Sequence, residues 1–455
     1  MESKLIDILK YQQAIDEVRK IPVAKIIGKV IKVQGLIYHA KGCKFKLNEV
    51  YFVENSENIR IQAQVVGFDH DTAFLMPLDL LDGIYSGAKI YRSKINLENR
   101  LCTNWCGKVI NGYGEVISEA AHKNIYVDFK PQKINPLLKK TVSNILDVGI
   151  KSINGLLTIG TGQRIALIAE SGVGKSTLIG MLAKQSNVDI VIIALIGERE
   201  REVKDFVEST LGKDGLQRSI VIAAPASESP LLRMKAAELA HNIAVYYRDL
   251  GMNVLLLMDS LTRYAQSKRE VALSLGEMPV SQGYPASVFA SISYLLEKSG
   301  NGSESSGSLT AIYSLLRETG DVSDPVVDAS ISILDGHIFL DKELAMNGQY
   351  PAINIIESIS RCMPSIVKDE HMEMSNLFKR LMAKYYKNRD LITLGAYKAG
   401  EDEELDKILK FQSYFDAFFN QKSCDFFSYE QTFQLMVELL AKFHFKRKNS
   451  MTDTL

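Results

Sequence analysis

The run Ala169-Glu170-Ser171-Gly172-Val173-Gly174-Lys175-Ser176-Thr177 sets small residues, a lysine and two hydroxyls between an apolar segment, RIALIA, and a helical one, TLIGMLAKQ. Small residues let backbone N–H groups close around phosphate oxygens at a helix N-terminus, where the dipole favours anions. In such a loop Lys175 reaches the β- and γ-phosphates of a nucleotide, and Ser176 offers its hydroxyl to Mg²⁺. The general pattern opens on glycine. Here Ala169 stands first, and the Glu170 carboxylate must point away from the triphosphate.

Two further apolar segments end in acids. NVLLLMD closes on Asp259, and a carboxylate at the C-terminal end of a buried strand beside a phosphate loop is the expected second holder of Mg²⁺. DIVIIALIG leads into Glu198 and Arg199. Hydrolysis of a phosphoanhydride needs a group that orients the attacking water, and Glu198 is placed for that. The competing reading is a solvated charge cluster, because GEREREV carries three Glu and two Arg.

These residues need a scaffold. RIALIA, DIVIIALIG, SIVIAAPA and NVLLLMD are continuous apolar strands separated by helical stretches, the pattern of a parallel sheet covered on both faces. This α/β block spans 137–366. Before it, residues 23–95 carry short alternating or β-branched runs (KVIKVQGLIYHA, IRIQAQVVGF, TAFLMPL) punctuated by Gly, Asn and Asp, which predict a small β-barrel. Residues 96–136 read as a connecting segment and 367–455 as a C-terminal helical domain. Leu5, Ile8, Leu9, Ile15 and Val18 recur at helical spacing, so 1–22 predicts an amphipathic helix, docked on its own domain or offered to a partner. The run NGSESSGS at 301–308 reads as a mobile loop.

Composition narrows the class. Lys plus Arg and Asp plus Glu number 54 each, so the formal charge of zero argues against a surface that coats nucleic acid. Five scattered cysteines favour reduced thiols over a disulfide framework. The N-terminus does not read as a signal peptide and no stretch reaches the length of a membrane span. The expected location is cytoplasmic, or peripheral to a membrane at most.

The phosphate loop, LIGEREREV, LLLMDSLTRYA, LGEMPVSQGYPASVFA, GSLTAIYSLL, SILDGHIFLDKELA, GQYPAIN and SISR stand in one order. In that order the chain resembles the type III protein export ATPases, the flagellar and virulence-secretion relatives of the catalytic subunit of rotary ATP synthases. The resemblance implies a RecA-like P-loop domain and a homohexamer that hydrolyses ATP with Mg²⁺ at subunit interfaces. Arg361 in SISR matches the arginine finger that enters the neighbour's site, Tyr350 the aromatic that stacks on adenine, and Arg199 a nucleotide-sensing arginine. It also implies a stator-like regulatory protein on the N-terminal helix, ring contacts through the barrel, and a C-terminal domain facing the central stalk and chaperone–substrate complexes. The export gate completes the set of partners, at the inner face of the bacterial cytoplasmic membrane. No nucleic acid is expected.

The chain departs from that family in places. Glu170 and Glu200 stand where glycine is common, so a requirement for positive φ at either position would leave the loop rearranged. Tyr294 replaces an arginine in ISYLLEK, and Asn154 replaces an aspartate. Three other functions share the core fold or motifs. A rotary synthase subunit lacks support because no acidic DELSEED-like run is present. A ring RNA translocase would need exposed barrel aromatics, whereas most of Tyr38, Phe45, Tyr51, Phe52, Phe68 and Phe74 alternate as core residues do. A scaffold without turnover would rest on Glu170 and Glu200. Between flagellar and virulence export the sequence leans slightly to the flagellar system.

Overall fold

The computed structural model describes residues 26–80, 82–93, 100–102, 104–118, 126–129, 134–317 and 324–442. The helix expected over 1–22 lies outside them. The chain divides near residue 97 into two compact units.

The first unit is a closed six-stranded antiparallel barrel in the order Ile26–Gln34, Ile37–Lys41, Thr72–Pro77, Arg60–Asp69, Val50–Glu54 and Lys89–Arg92, the last pairing back to the first. Closure leaves no unpaired edge. Alternate side chains point inward, and Val30, Tyr38, Tyr51, Val65, Leu75 and Ile90 fill the interior. The Tyr51 hydroxyl reaches Glu49 at 2.8 Å, so the buried ring keeps a polar partner.

The second unit is built on an eight-stranded sheet. Its order is Ile353–Ser360, Gly336–Leu340, Arg164–Ala169, Ser308–Leu316, Asn253–Asp259, Ile190–Ile196, Ser219–Ala224 and Lys108–Asn111. All neighbours are parallel except the first pair. Ile190–Ile196 and Ser219–Ala224 are buried at every position, which is why they read as unbroken apolar runs. At about 1.5–3 kcal/mol for each fully buried aliphatic side chain, this sheet dominates the stability of the unit. The outermost strand, Lys108–Asn111, comes from the stretch read as a connecting segment. Four residues ending in an Asn-Gly turn give too short a signal to be read as a strand.

The C-terminal helices Asp369–Thr393, Glu403–Lys410, Gln412–Phe419 and Tyr429–Ala441 pack against the short helix Lys151–Leu156 and against one another. Phe378 anchors them, its ring 5.1 Å from Phe415 and 5.0 Å from Phe418. His371 crosses this seam. Its Nε2 donates to the Gly155 carbonyl at 2.7 Å and its Nδ1 accepts from the Tyr429 hydroxyl at 2.7 Å, which assigns the neutral ring.

Two expectations change here. Residues 301–308 form a fastened turn rather than a loose loop: Asn301 donates to the Thr141 carbonyl, Gly302 to Gly307, and Gly307 to Arg248. Asn154 has a reason to be an amide. Its Nδ2 donates to Asp147 Oδ1 at 2.7 Å and to the Phe427 carbonyl at 3.1 Å, and it is buried. A carboxylate could make neither bond and would set like charge against Asp147.

Candidate nucleotide site

The loop after Arg164–Ala169 turns into the helix Lys175–Gln185 through two residues with left-handed backbone, Gly172 (φ +84°) and Gly174 (φ +88°). Glycine adopts those angles without a Cβ penalty, so both positions need it. Neither Glu170 nor Glu200 has positive φ. The rearrangement that these two acids would have implied is absent. Glu200 instead opens the helix Glu200–Asp205, where an acid suits the dipole, and accepts from the Ser227 hydroxyl at 2.6 Å.

Parallel pairing brings the strand ends together. Lys175 Nζ hydrogen-bonds Asp259 Oδ1 and lies 3.6 Å from Glu198 Oε1. Asp259 Oδ1 also accepts from the Ser314 hydroxyl at 2.6 Å. Ser314 belongs to the strand lying between those of the loop and of Asp259. Sequence reasoning missed it: GSLTAIYSLL offers only a serine in an apolar run, and its role depends on which strand inserts where.

Burial opposes the charge of Lys175, yet Asp259 and then Glu198 hold its pKa above the ordinary lysine value. Burial first, and the Asp259 charge second, push the Glu198 carboxyl up to about 7, against the pull of Lys175. Glu202, also missed, shares a hydrogen bond with Glu198. Burial raises the Glu202 carboxyl, but that hydrogen bond and Arg199 together hold it below the usual range. Of the two acids, Glu198 is therefore the one that carries a proton near neutrality.

These groups open on a cleft of about 1130 Å³ lined by the loop from Glu170 to Thr177 and by Glu198, Arg199, Arg263, Arg269 and Arg317. Ser176 and Thr177 are exposed to it. Arg199 is largely exposed and bonds Glu202 at 3.1 Å. Among the described residues no cluster of three His, Cys, Asp or Glu could hold a metal alone. Ser176 and Asp259 supply oxygen donors of the type Mg²⁺ prefers, but too few of them. An ion here needs further oxygens, as nucleotide phosphates would supply.

Tyr350 and Arg361 are placed differently. The Tyr350 ring lies 3.4 Å from where a Cβ on Gly174 would stand, half exposed beside the loop. Arg361 follows the edge strand Ile353–Ser360 and bonds the Leu334 and Ile331 carbonyls at 3.2 and 3.4 Å, at the end of the helix Pro325–Ile333. Its own N–H donates to Asp335, the residue whose carboxylate meets Arg164 at the start of the loop strand. Arg361 thus sits at the opposite end of the strands from Lys175, a strand length of roughly 17 Å away at 3.3 Å per residue.

The comparisons with known proteins agree with this fold. The ATP synthase alpha/beta family matches over residues 149–360 with its nucleotide-binding domain and over 23–94 with its beta-barrel domain. The T3SS EscN ATPase C-terminal domain matches 367–438. The chain belongs to the ATP synthase alpha/beta family, among its type III export ATPases, and is an ATP-hydrolysing enzyme. The flagellum-specific ATP synthase of Pseudomonas aeruginosa is 43% identical over 396 residues, covering 86% of this chain and 88% of the relative. That of Salmonella typhimurium is 41% identical over 428 residues, covering 91% and 94%. The assembled ATPase EscN of the enteropathogenic E. coli type III secretion system superposes with a TM-score of 0.84 at 38% identity, over 91% of this chain and 100% of that one. In complex with its central stalk EscO the TM-score is 0.82 at 37% identity, with the same coverage.

Proposed function

We propose that this chain forms a homohexameric ring that hydrolyses Mg-ATP at its subunit interfaces and so energises protein export by a flagellar apparatus. The observation that carries the interface reading is the separation of Arg361 from Lys175, Glu198 and Asp259 in one chain. An arginine at the other end of the strands cannot serve its own cleft, and its exposure leaves it free to be offered to a neighbouring copy.

In this reading the loop from Ala169 to Thr177, with Glu170, Ser171, Gly172 and Val173 in it, cradles the phosphates. Lys175 leaves Asp259 to meet the β- and γ-oxygens. Ser176 and Asp259 would hold Mg²⁺, which neutralises phosphate charge. Glu198 takes a proton from the attacking water as its oxygen bonds to the γ-phosphorus and the bond to the β-phosphate oxygen breaks, leaving ADP and phosphate. Arg361 of the neighbour stabilises charge on the transferring group. Tyr350 stacks on the adenine, and Arg199 at the cleft senses its occupancy.

The flagellar assignment draws on the flagellum-specific relatives at 41–43% identity, against 38% for EscN. EscN's central stalk makes a stalk protein the expected axial partner here. A stator-like regulator on residues 1–22, the export gate, and chaperone–substrate complexes at the C-terminal helices complete the set, with the ring peripheral to the inner face of the cytoplasmic membrane. Among the described residues no helix is long and apolar enough to cross a membrane. An RNA translocase finds little support in the barrel: Tyr38 and Tyr51 are buried, Phe45, Phe52 and Phe74 half-buried, and of these six only Phe68 is exposed.

The test is steady-state ATP hydrolysis against protein concentration, for wild type and Lys175→Ala. Specific activity that rises with concentration and vanishes in the variant supports an interface ATPase. Activity independent of concentration down to the monomer removes it.

A further inference from the structure

Tyr350 lies in the short loop between the helix Lys342–Met346 and the edge strand Ile353–Ser360. Neither of its backbone polar groups is satisfied there. Its N–H donates to Asn420 Oδ1 at 3.0 Å, and its carbonyl accepts from the Gln421 N–H at 2.8 Å. Both partners belong to the C-terminal helical domain, where Asn420 ends the helix Gln412–Phe419.

That helix end is itself fixed. Lys151, almost fully buried, donates from Nζ to the Ala417 and Asn420 carbonyls at 2.7 and 3.0 Å. A cation on the last carbonyls of a helix satisfies orphan acceptors and offsets the dipole. The Gln421 side chain accepts from the Lys151 N–H at 2.9 Å and donates to the Gly149 carbonyl at 2.7 Å. The anchor is therefore rigid, whereas the Tyr350 ring is half exposed and leans on Gly174.

We propose that Asn420 is a positioning residue for base recognition: it holds the Tyr350 backbone, and through it the placement of the C-terminal helical domain sets where the ring stands. This rests on the reading of Tyr350 as the residue that stacks on the base. Lys175 opens the helix after the loop strand, and Glu198 and Asp259 stand at the ends of buried strands, so their placement does not run through this tether. Loss of the tether then weakens the hold on the base and leaves the phosphate chemistry intact.

The experiment is steady-state hydrolysis by Asn420→Ala, Asn420→Asp and Tyr350→Ala, each with competition by inorganic tripolyphosphate, which has no base. Removing one hydrogen bond from a backbone N–H is expected to raise KM for ATP roughly five- to tenfold, with kcat within about twofold. Inhibition by tripolyphosphate stays at the wild-type level. Asn420→Asp keeps an acceptor oxygen and returns KM toward wild type. Asn420→Ser, too short to reach the Tyr350 N–H, replaces Asn420→Ala if that variant does not fold. An unchanged KM in Asn420→Ala, with KM raised in Tyr350→Ala, overturns the positioning role and leaves stacking in place. A wild-type KM in Tyr350→Ala removes the stacking reading and this inference with it. Equal shifts for ATP and tripolyphosphate mean general loosening of the cleft and also overturn the inference.

Discussion

The two halves of the proposed nucleotide site, for phosphate and for base, are built on different principles. At the phosphate end Lys175 opens the helix after the loop strand, and Glu198 and Asp259 stand at the ends of two buried parallel strands, with Lys175 within a few ångströms of both acids. At the base end Tyr350 is half exposed, and its backbone is held by residues seventy positions further along the chain. The groups proposed for the chemistry are anchored on the buried sheet. Recognition of the base, as proposed, falls to a loop whose backbone is bonded to a second layer of helices.

The sharpest way to probe this contrast is to remove the charge proposed to arrive from the neighbouring subunit. Arg361→Ala is expected to retain nucleotide affinity and lose about 10³-fold or more in kcat, measured by single-turnover hydrolysis beside equilibrium binding. A loss of affinity with kcat intact would place Arg361 outside the reaction. Next comes Glu198→Gln, for which a drop of about 10²–10⁴ in kcat with ATP still bound is the expected result.

The pH profile tests the same end more gently. The Glu198 carboxyl, pushed up to about 7 chiefly by burial, must be ionised to accept a proton. In the free enzyme kcat/KM should therefore rise as pH increases through about 7 and flatten above it, and Glu198→Gln should lose that limb. At the base end, Tyr350→Ala should raise KM roughly tenfold, in keeping with about 1–3 kcal/mol for stacking of a base on an aromatic ring, with kcat little changed. The smallest expected effect lies in the seam beneath the base end. Asn154→Asp forfeits the bonds to Asp147 and Phe427 and adds a buried like charge. A loss of about 1–3 kcal/mol, read as a lowered melting temperature with kinetics preserved, is expected.

The same contrast explains what the sequence revealed. The phosphate loop, Glu198 and Asp259 could be read because each follows a continuous apolar strand, and parallel packing brings such strand ends to one edge without further information. The barrel was legible from alternation, since inward and outward residues differ in type. Tyr350 and Arg361 came only from the family resemblance: one is a half-exposed tyrosine and the other an arginine after an edge strand, and neither has a local signature. Ser314, Asn420 and Lys151 were invisible because their partners are chosen by sheet order and by helix docking. The concern over Glu170 and Glu200 dissolved for a backbone reason, since the positive angles fall on Gly172 and Gly174.

Arg361, at the other end of the strands from Lys175, has a genetic consequence if it serves the neighbour's site as proposed. In a closed ring each polypeptide contributes the receiving half of one site and the donating half of the next. Two alleles that are each inactive alone, Lys175→Ala and Arg361→Ala, would then complement when expressed together. In a random equal mixture about one interface in four pairs an intact Lys175 with an intact Arg361 from next door. A bacterium carrying both defective copies would recover part of a function that neither copy encodes, whereas one carrying both lesions in a single copy would not.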